Sequence, residues 1–237
     1  MMSSWMARVV ERLHLLRHAA RLVAGRRLWI APLLPLTWIF FQVFRLWVNW
    51  REDDYMPGDA QTVLIGTPLA VLAAGFGVRI IAGEMDQRTL EIAYTVPGGS
   101  HRVWLAKLSA ATALLLVSEA LLAVATFLFC TSFPPVALYG AFQSAVFYMV
   151  LAMALAVLFK SEATGALVTV VVGITNAFVQ GGDLRISPFW NPANLDDASA
   201  DVMAWTVQNR IGFALVVVAI TALAFVRAER REKLLGG

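Results

Sequence analysis

GEMDQRTLEIAYTVPGGSHRVWLA, from Gly83 to Ala106, is a polar interruption of 24 residues between two apolar runs of membrane-spanning length. A connection between two spanning helices needs only a few residues. One that carries its own charges, helical spacing and a terminating Pro97-Gly98-Gly99 predicts a contact surface at the membrane face. Asp86 stands where a helix cap is wanted, Leu90, Ala93 and Tyr94 form a small apolar stripe, and Ser100 opens the next span. The plainer alternative is a loop resting on headgroups with Arg88, Arg102 and Lys107 snorkelling. Glu84 and Glu91 speak against it, because two acidic side chains gain nothing beside anionic lipid.

Outward from this stretch the chain is dominated by apolar sequence. With 59% hydrophobic and 15% charged residues and a mean hydropathy of +0.69, it has too little polar surface for a soluble globule. A spanning helix needs roughly 20 apolar residues. Six runs qualify: Leu28 to Trp50, Thr62 to Ala82, Leu105 to Phe129, Val136 to Phe159, Ala163 to Val179 and Ile211 to Val226. The fold class is therefore all-α integral membrane, with six transmembrane helices, an N-terminal amphipathic interfacial helix and a cytoplasmic helix in the 2/3 connection. The first run is not read as a cleavable signal, since a charged stretch precedes it and no small-residue cleavage site follows. Residues 1–27 form the interfacial segment and 28–237 the six-span domain.

Charge sets the orientation. Arg8, Arg12, Arg17, Arg21, Arg26, Arg27, Arg79, Arg88, Arg102, Lys107, Lys160, Arg227, Arg230, Arg231 and Lys233 fall on one side, fifteen of the nineteen basic residues. Arg45, Arg51, Arg185 and Arg210 remain on the other, among most of the aspartates. The positive-inside rule predicts both termini in the cytoplasm, for a multi-pass protein of the inner (cytoplasmic) membrane. The pI near 9.3 is then an orientation signal and an attraction to anionic membrane lipids, and it does not call for nucleic acid. In the N-terminal segment Trp5, Val9, Leu13, Leu16 and Val23 lie near one helical face. His14 and His18, one turn apart, have no third ligand in view and are read as interfacial polar residues rather than a metal site.

Glu84, then Thr89-Leu90-Glu91, then Pro97, Arg102 and Lys107 leading into a span, together resemble the signature of the type-2 ABC exporter permeases. Where that family usually carries Gly before Thr-Leu-Glu, this chain carries Arg88. The resemblance extends to the position of the motif after span 2 of six, and in topology covers nearly the whole chain. It implies that residues 83–99 are a coupling segment docking in a groove of a cytoplasmic ABC ATPase, through Glu84, Arg88, Thr89, Leu90, Glu91, Tyr94 and Pro97. It also implies a homodimer or a paired permease, with spans 1 and 5 at the dimer contact and spans 2 and 5 beside the pathway. ATP and Mg would be bound by the partner ATPase, with no cofactor in this chain. The sequence agrees to the extent that it holds no Walker A motif: its one Lys-Ser pair, Lys160-Ser161, follows Leu-Phe and lacks the phosphate-cradling glycines. The chain is read as a non-catalytic subunit, and no hydrolase or metalloprotease motif stands against that.

Within the membrane Glu119 stands out, because an acidic side chain at that depth costs about 2.5 to 3.5 kcal/mol. Thr112, Glu119 and Thr126 recur at seven-residue steps and so share one line of span 3. Either Glu119 serves the pathway as a proton site or cargo contact, or it is a neutral acid hydrogen-bonded to a neighbouring span. Pro32 and Pro35 in span 1, and Gly66 with Pro68 in span 2, predict kinks. Span 5 carries Gly165, Thr169, Gly173 and Asn176, the small and polar face of a helix packed on helices. The outer segment 181–209 contains Pro188-Phe189-Trp190-Asn191-Pro192, which predicts a return into the interface. The resembled family closes the outer end of the pathway here by short re-entrant helices, with Phe189 and Trp190 as the gate residues; an aromatic belt without gating is the alternative.

The functional expectation is a permease subunit of an ABC exporter, moving a substrate from the cytoplasm or inner leaflet. The competing readings are an integral-membrane enzyme using Glu119 as acid or base, and a membrane anchor recruiting a soluble partner. The short outer loops favour a lipidic or amphipathic cargo, or a peptide.

Overall fold

The computed structural model describes residues 14–50, 53–86, 99–179, 187–194 and 200–229. Among them every regular element is helical. Residues 14–24 form α1. A 3-10 turn, Ala31–Leu33, leads into α2, Leu36–Trp47. A short turn at Pro57–Asp59 and a π turn at Ala60–Leu64 precede α3, Gly66–Asp86. Then come α4, Ser100–Phe129; α5, Val136–Phe159; α6, Glu162–Val179; a 3-10 turn, Pro192–Asn194; and α7, Ala200–Glu229.

Among the described residues four helices are long and apolar enough to cross a membrane: Pro57–Asp86, α4, α5 and Asp201–Glu229. Two further apolar helices, Ala31–Trp47 and Glu162–Asn176, are shorter. The first expected span is thus not one continuous helix from Leu28 to Trp50. Pro32 and Pro35 each lack an N–H and crowd the preceding turn, so residues 26–35 pass through turns and a 3-10 segment before α2 begins. In the second, the irregularity expected near Pro68 takes the form of the π turn one step earlier. There Ile65 N bonds Ala60 O at 3.0 Å and the Thr67 hydroxyl donates to Thr62 O at 2.8 Å. Trp38 Nε1 donates to the carbonyl of Val63 inside this turn at 2.8 Å, tying α2 to it.

Punctuation at both ends explains why α5 has the bounds read from sequence. Pro134 and Pro135 precede it, and Lys160 in the left-handed region (φ 54) ends it. By contrast α7 begins eleven residues before the expected Ile211, because the polar stretch ahead of the apolar run is itself helical.

The core is centred on α3, which is buried over most of its length and packs most extensively against α5. Small residues permit this: a Cβ on Gly77 would fall on the Met149 carbonyl and sit 3.0 Å from Ala152 Cβ. What remains open on α3 is one row of four-residue steps, Thr67, Val71, Gly75 and Arg79. At the other extreme the apolar stretch of α7 is largely exposed, with Leu215, Val218 and Leu223 turned outward. The N-terminal helix docks through Ala19, Ala20 and Val23, while Leu16, expected on the same face, is exposed.

Two of the four glycines of α3 make a paired test. Gly77→Ala overpacks the α3–α5 contact and is expected to cost about 1–3 kcal/mol. Gly75→Ala, where a Cβ meets open space, is expected to leave stability unchanged or slightly raised. Thermal unfolding of the two purified variants beside the parent chain measures the contrast.

Candidate functional site

Most of the motif expected to meet a partner lies outside the described residues: Arg88, Thr89, Leu90, Glu91, Tyr94 and Pro97 fall there. The structure does describe the two helix ends that carry the segment. Glu84, on the last turn of α3, is buried and turned inward. Lys107 Nζ donates to Glu84 Oε1 at 2.7 Å and to Ile80 O at 3.2 Å, and Trp104 Nε1 donates to Glu84 Oε2 at 3.1 Å. Lys107, which the headgroup-loop alternative would have snorkelling, is 4% exposed. Both Glu84 and Lys107 therefore work between α3 and α4 as a buried ion pair.

Other helices join at the same end. The Trp104 ring lies 5.7 Å from Phe225 of α7, and His101 Nδ1 is 3.8 Å from Glu229 Oε1. Asp86 accepts from Glu162 N at 3.1 Å, at the start of α6; the segment it is expected to cap lies outside the described residues. Arg79 reaches Val23 O of α1 at 3.2 Å and Glu162 Oε2 at 4.0 Å. The end of α3 at Asp86 and the start of α4 at Ser100 thus lie where α1, α3, α4, α6 and α7 are tied together.

The opposite end of the bundle holds a second polar cluster. Trp190 is buried; its Nε1 donates to Thr206 Oγ1 at 3.0 Å, and its carbonyl accepts from Gln61 Nε2 at 2.7 Å and Arg210 Nη2 at 3.3 Å. Arg210 Nη1 donates to Gln143 Oε1 at 3.1 Å, and Gln143 Nε2 returns a bond to Arg210 O at 2.9 Å. Its guanidinium also stands 5.5 Å over the Tyr139 ring. Ser144 Oγ donates to Pro188 O at 2.8 Å, Asn209 Nδ2 to Ser187 O at 3.0 Å and Asn191 Nδ2 to Gly58 O at 2.8 Å. Segment 187–194 is consequently tucked between the ends of α3, α5 and α7. Gly140 makes room, since a Cβ there would overlap the Gln61 side chain and come within 2.6 Å of Arg210 Nη2.

Sequence reasoning singled out Phe189 and Trp190 but missed Gln61, Gly140, Gln143, Ser144 and Arg210. The glutamines were the available signal, because a buried amide among apolar neighbours demands a partner. Arg210 enters the sequence reading only as one of the four basic residues on the far side.

Glu119 and Thr126 of the expected intramembrane stripe are buried, and Thr112 is half-buried. The Thr112 hydroxyl donates to its own helix, to Leu108 O at 2.9 Å. Glu119 Oε1 and Thr126 Oγ1 have no hydrogen-bond partner among the described residues, so the expected bond from Glu119 to a neighbouring span is not found there. Asn176, also expected on a polar face, lies on α6 beside Tyr148 of α5.

Between α2 and α6 the open row of α3 floors a cleft of about 970 Å³, walled by Leu34, Trp38, Ala163 and Ala166 and ending at Arg79, Asp86 and Glu162. A pocket of about 290 Å³ shares Thr67 and Val71 with it and continues toward Tyr148, Gly173 and Phe189. The clefts and the two end clusters are arranged along α3. Among the described residues no group of three His, Cys, Asp or Glu side chains is placed to hold a metal ion.

Breaking the Glu84–Lys107 pair leaves one buried charge uncompensated, so Glu84→Leu is expected to cost about 3–5 kcal/mol, whereas Glu84→Leu combined with Lys107→Leu recovers most of the loss. Thermal unfolding of the three variants measures this; equal losses in single and double variants would contradict the pairing. Glu119→Gln is expected to match the parent in stability, and Glu119→Leu to differ by no more than about 1–2 kcal/mol, since no bond to Oε1 is lost. Compared with known proteins, the chain matches no family model, and no curated protein or solved structure shows significant similarity to it.

Proposed function

We propose that the chain is the permease subunit of an ABC exporter, working as a homodimer or paired permease with a separate cytoplasmic ATPase that binds ATP and Mg. The observation that carries this reading is the Thr89-Leu90-Glu91 motif with Pro97, set between two long apolar helices. In this reading Ala31–Trp47 and Glu162–Asn176 complete six spans, both termini are cytoplasmic, and the protein resides in the inner membrane. The distribution of basic residues supports the orientation.

The mechanism follows from how the segment is mounted. ATP-driven closure of the ATPases pushes on residues 87–98, and the push enters the bundle through the ends of α3 and α4. The buried Glu84–Lys107–Trp104 contact makes those two ends move together. A rigid body turns a small displacement at one end into motion of the whole helix, and α3 carries the open row that faces the cleft. The cleft between α2 and α6 is the surface a second copy would close. At the far end the 187–194 segment caps the bundle through single hydrogen bonds to carbonyls, contacts that can be exchanged as the helices move.

Gentle solubilisation together with the ATPase encoded nearest to this chain tests the proposal. The expected result is a stable complex that hydrolyses ATP. Leu90→Asp and Glu91→Lys should each abolish copurification while leaving membrane insertion intact, since insertion depends on the spans and their flanking positive charges. Unchanged copurification in both variants, or full transport by this chain alone, would overturn it.

A further inference from the structure

The cleft between α2 and α6 is apolar along its length and charged at one end. Val71 and Gly75 of α3 form its floor, with Leu34 and Trp38 on one side and Ala163 and Ala166 on the other. Val71 is 70% exposed, and a Cβ on Gly75 would meet open space. The Trp38 indole N–H is engaged by Val63 O, so its ring offers the cleft only an apolar face. At the end of the floor stand Arg79, Asp86 and Glu162, one guanidinium against two carboxylates. Half of the Arg79 side chain is exposed; its Nη1 donates to Val23 O, and its Nε stands 4.0 Å from Glu162 Oε2, the limit of an ion pair. Asp86 Oδ2 accepts from Glu162 N. Arg79 Nη2, Asp86 Oδ1 and Glu162 Oε1 carry no hydrogen bond among the described residues.

The length of the floor matches one leaflet of a bilayer. From Thr67 to Arg79 it runs about 18 Å, at about 1.5 Å per helical residue, and half of a hydrocarbon core about 30 Å thick is about 15 Å. The groove is therefore one acyl chain long, and its charged end falls at headgroup depth. The charges there narrow the headgroup. A purely anionic one meets two carboxylates, and a purely cationic one meets the guanidinium. A zwitterion of phosphate and ammonium gives every charge at the mouth a counter-charge.

We infer that the cleft binds an amine-bearing zwitterionic phospholipid from the leaflet on the Arg79 side. Its phosphate lies against the Arg79 guanidinium, its ammonium between Asp86 and Glu162, and one acyl chain along Val71 and Gly75. A primary ammonium brings three N–H donors to carboxylate oxygens that have none, which a quaternary ammonium cannot do. The site is a property of this chain and needs neither an ATPase nor a second copy. In the permease reading a second copy closes over the filled groove.

The test titrates the full-length chain, held in an uncharged amphipathic polymer, with three single-chain myristoyl probes: lysophosphatidylethanolamine, its N-acetyl derivative, which keeps the phosphate and loses the ammonium, and lysophosphatidylglycerol. The ethanolamine probe is expected to bind about fivefold tighter than the other two, the weight of a partly exposed ion pair. Asp86→Asn combined with Glu162→Gln, which keeps an acceptor for Glu162 N and the shape of both side chains, should bind the three probes alike. Arg79→Gln should weaken all three, because all carry the phosphate. Val71→Phe and Gly75→Phe, both on the open floor, should each weaken every probe by filling the groove. Equal binding of the ethanolamine and N-acetyl probes to the parent chain, or parent-like binding in both Phe variants, overturns the inference. So does a parent chain that is dimeric in the polymer and binds no probe, since a second copy would then fill the groove itself. Because no ATPase is present, this result and the fate of the ATPase complex are read separately.

Discussion

The contact between α3 and α5 decides the rest of the structure. Gly77 lets the two backbones approach until only Met149 O and Ala152 separate them, so α3 sinks into the centre of the bundle. A helix with a larger residue there would be held away by a side chain's thickness. In a membrane no hydrophobic force draws helices together, so this close van der Waals fit, with small residues on both sides, does most of the assembling. Its consequence is that α3 keeps only one open row, and everything that reaches the cleft must pass Thr67, Val71, Gly75 and Arg79.

Polar bonds then fix the two ends of the central helix. At one end the Glu84–Lys107 pair, with Trp104 on the second carboxylate oxygen, gives each buried charge more than one partner, which is the condition under which a buried ion pair repays its desolvation. At the other end Gln61, aimed by the π turn, shares the Trp190 carbonyl with Arg210. The first end is built on charge and is rigid. The second joins amides, hydroxyls and carbonyls around the single buried guanidinium of Arg210.

How far these features were legible in the sequence depends on how local their causes are. Run length alone gave the long helices, and α5 was read to the residue because Pro134-Pro135 and Lys160 mark both ends. The break before α2 was signalled by Pro32 and Pro35, though its 3-10 form was not. Hydropathy alone starts the last span at Ile211, because Asp201, Thr206, Gln208 and Asn209 make a polar helical stretch that it does not count, while Asn194 to Asp197 signal a helix start ahead of Val202. The partnership of Glu84 with Lys107 was illegible for a different reason. They are 23 residues apart across the connecting segment, and polarity near a span end reads the same whether the side chain faces water or a buried partner. Glu119 is buried in the structure, but which groups surround it depends on helix packing that no single helix encodes.

The most direct test of the open row asks which face of α3 a reagent can reach. In a Cys130→Ser background, single cysteines are placed at Thr67, Val71 and Gly75 and at the neighbouring buried positions Leu69, Ala73 and Phe76. Each is treated with a small thiol reagent in the purified full-length chain. Positions 67, 71 and 75 should react and 69, 73 and 76 should not, tracing one face at four-residue steps. Equal reactivity on both faces, or reaction confined to 69, 73 and 76, would contradict the central placement of α3 and its single open row.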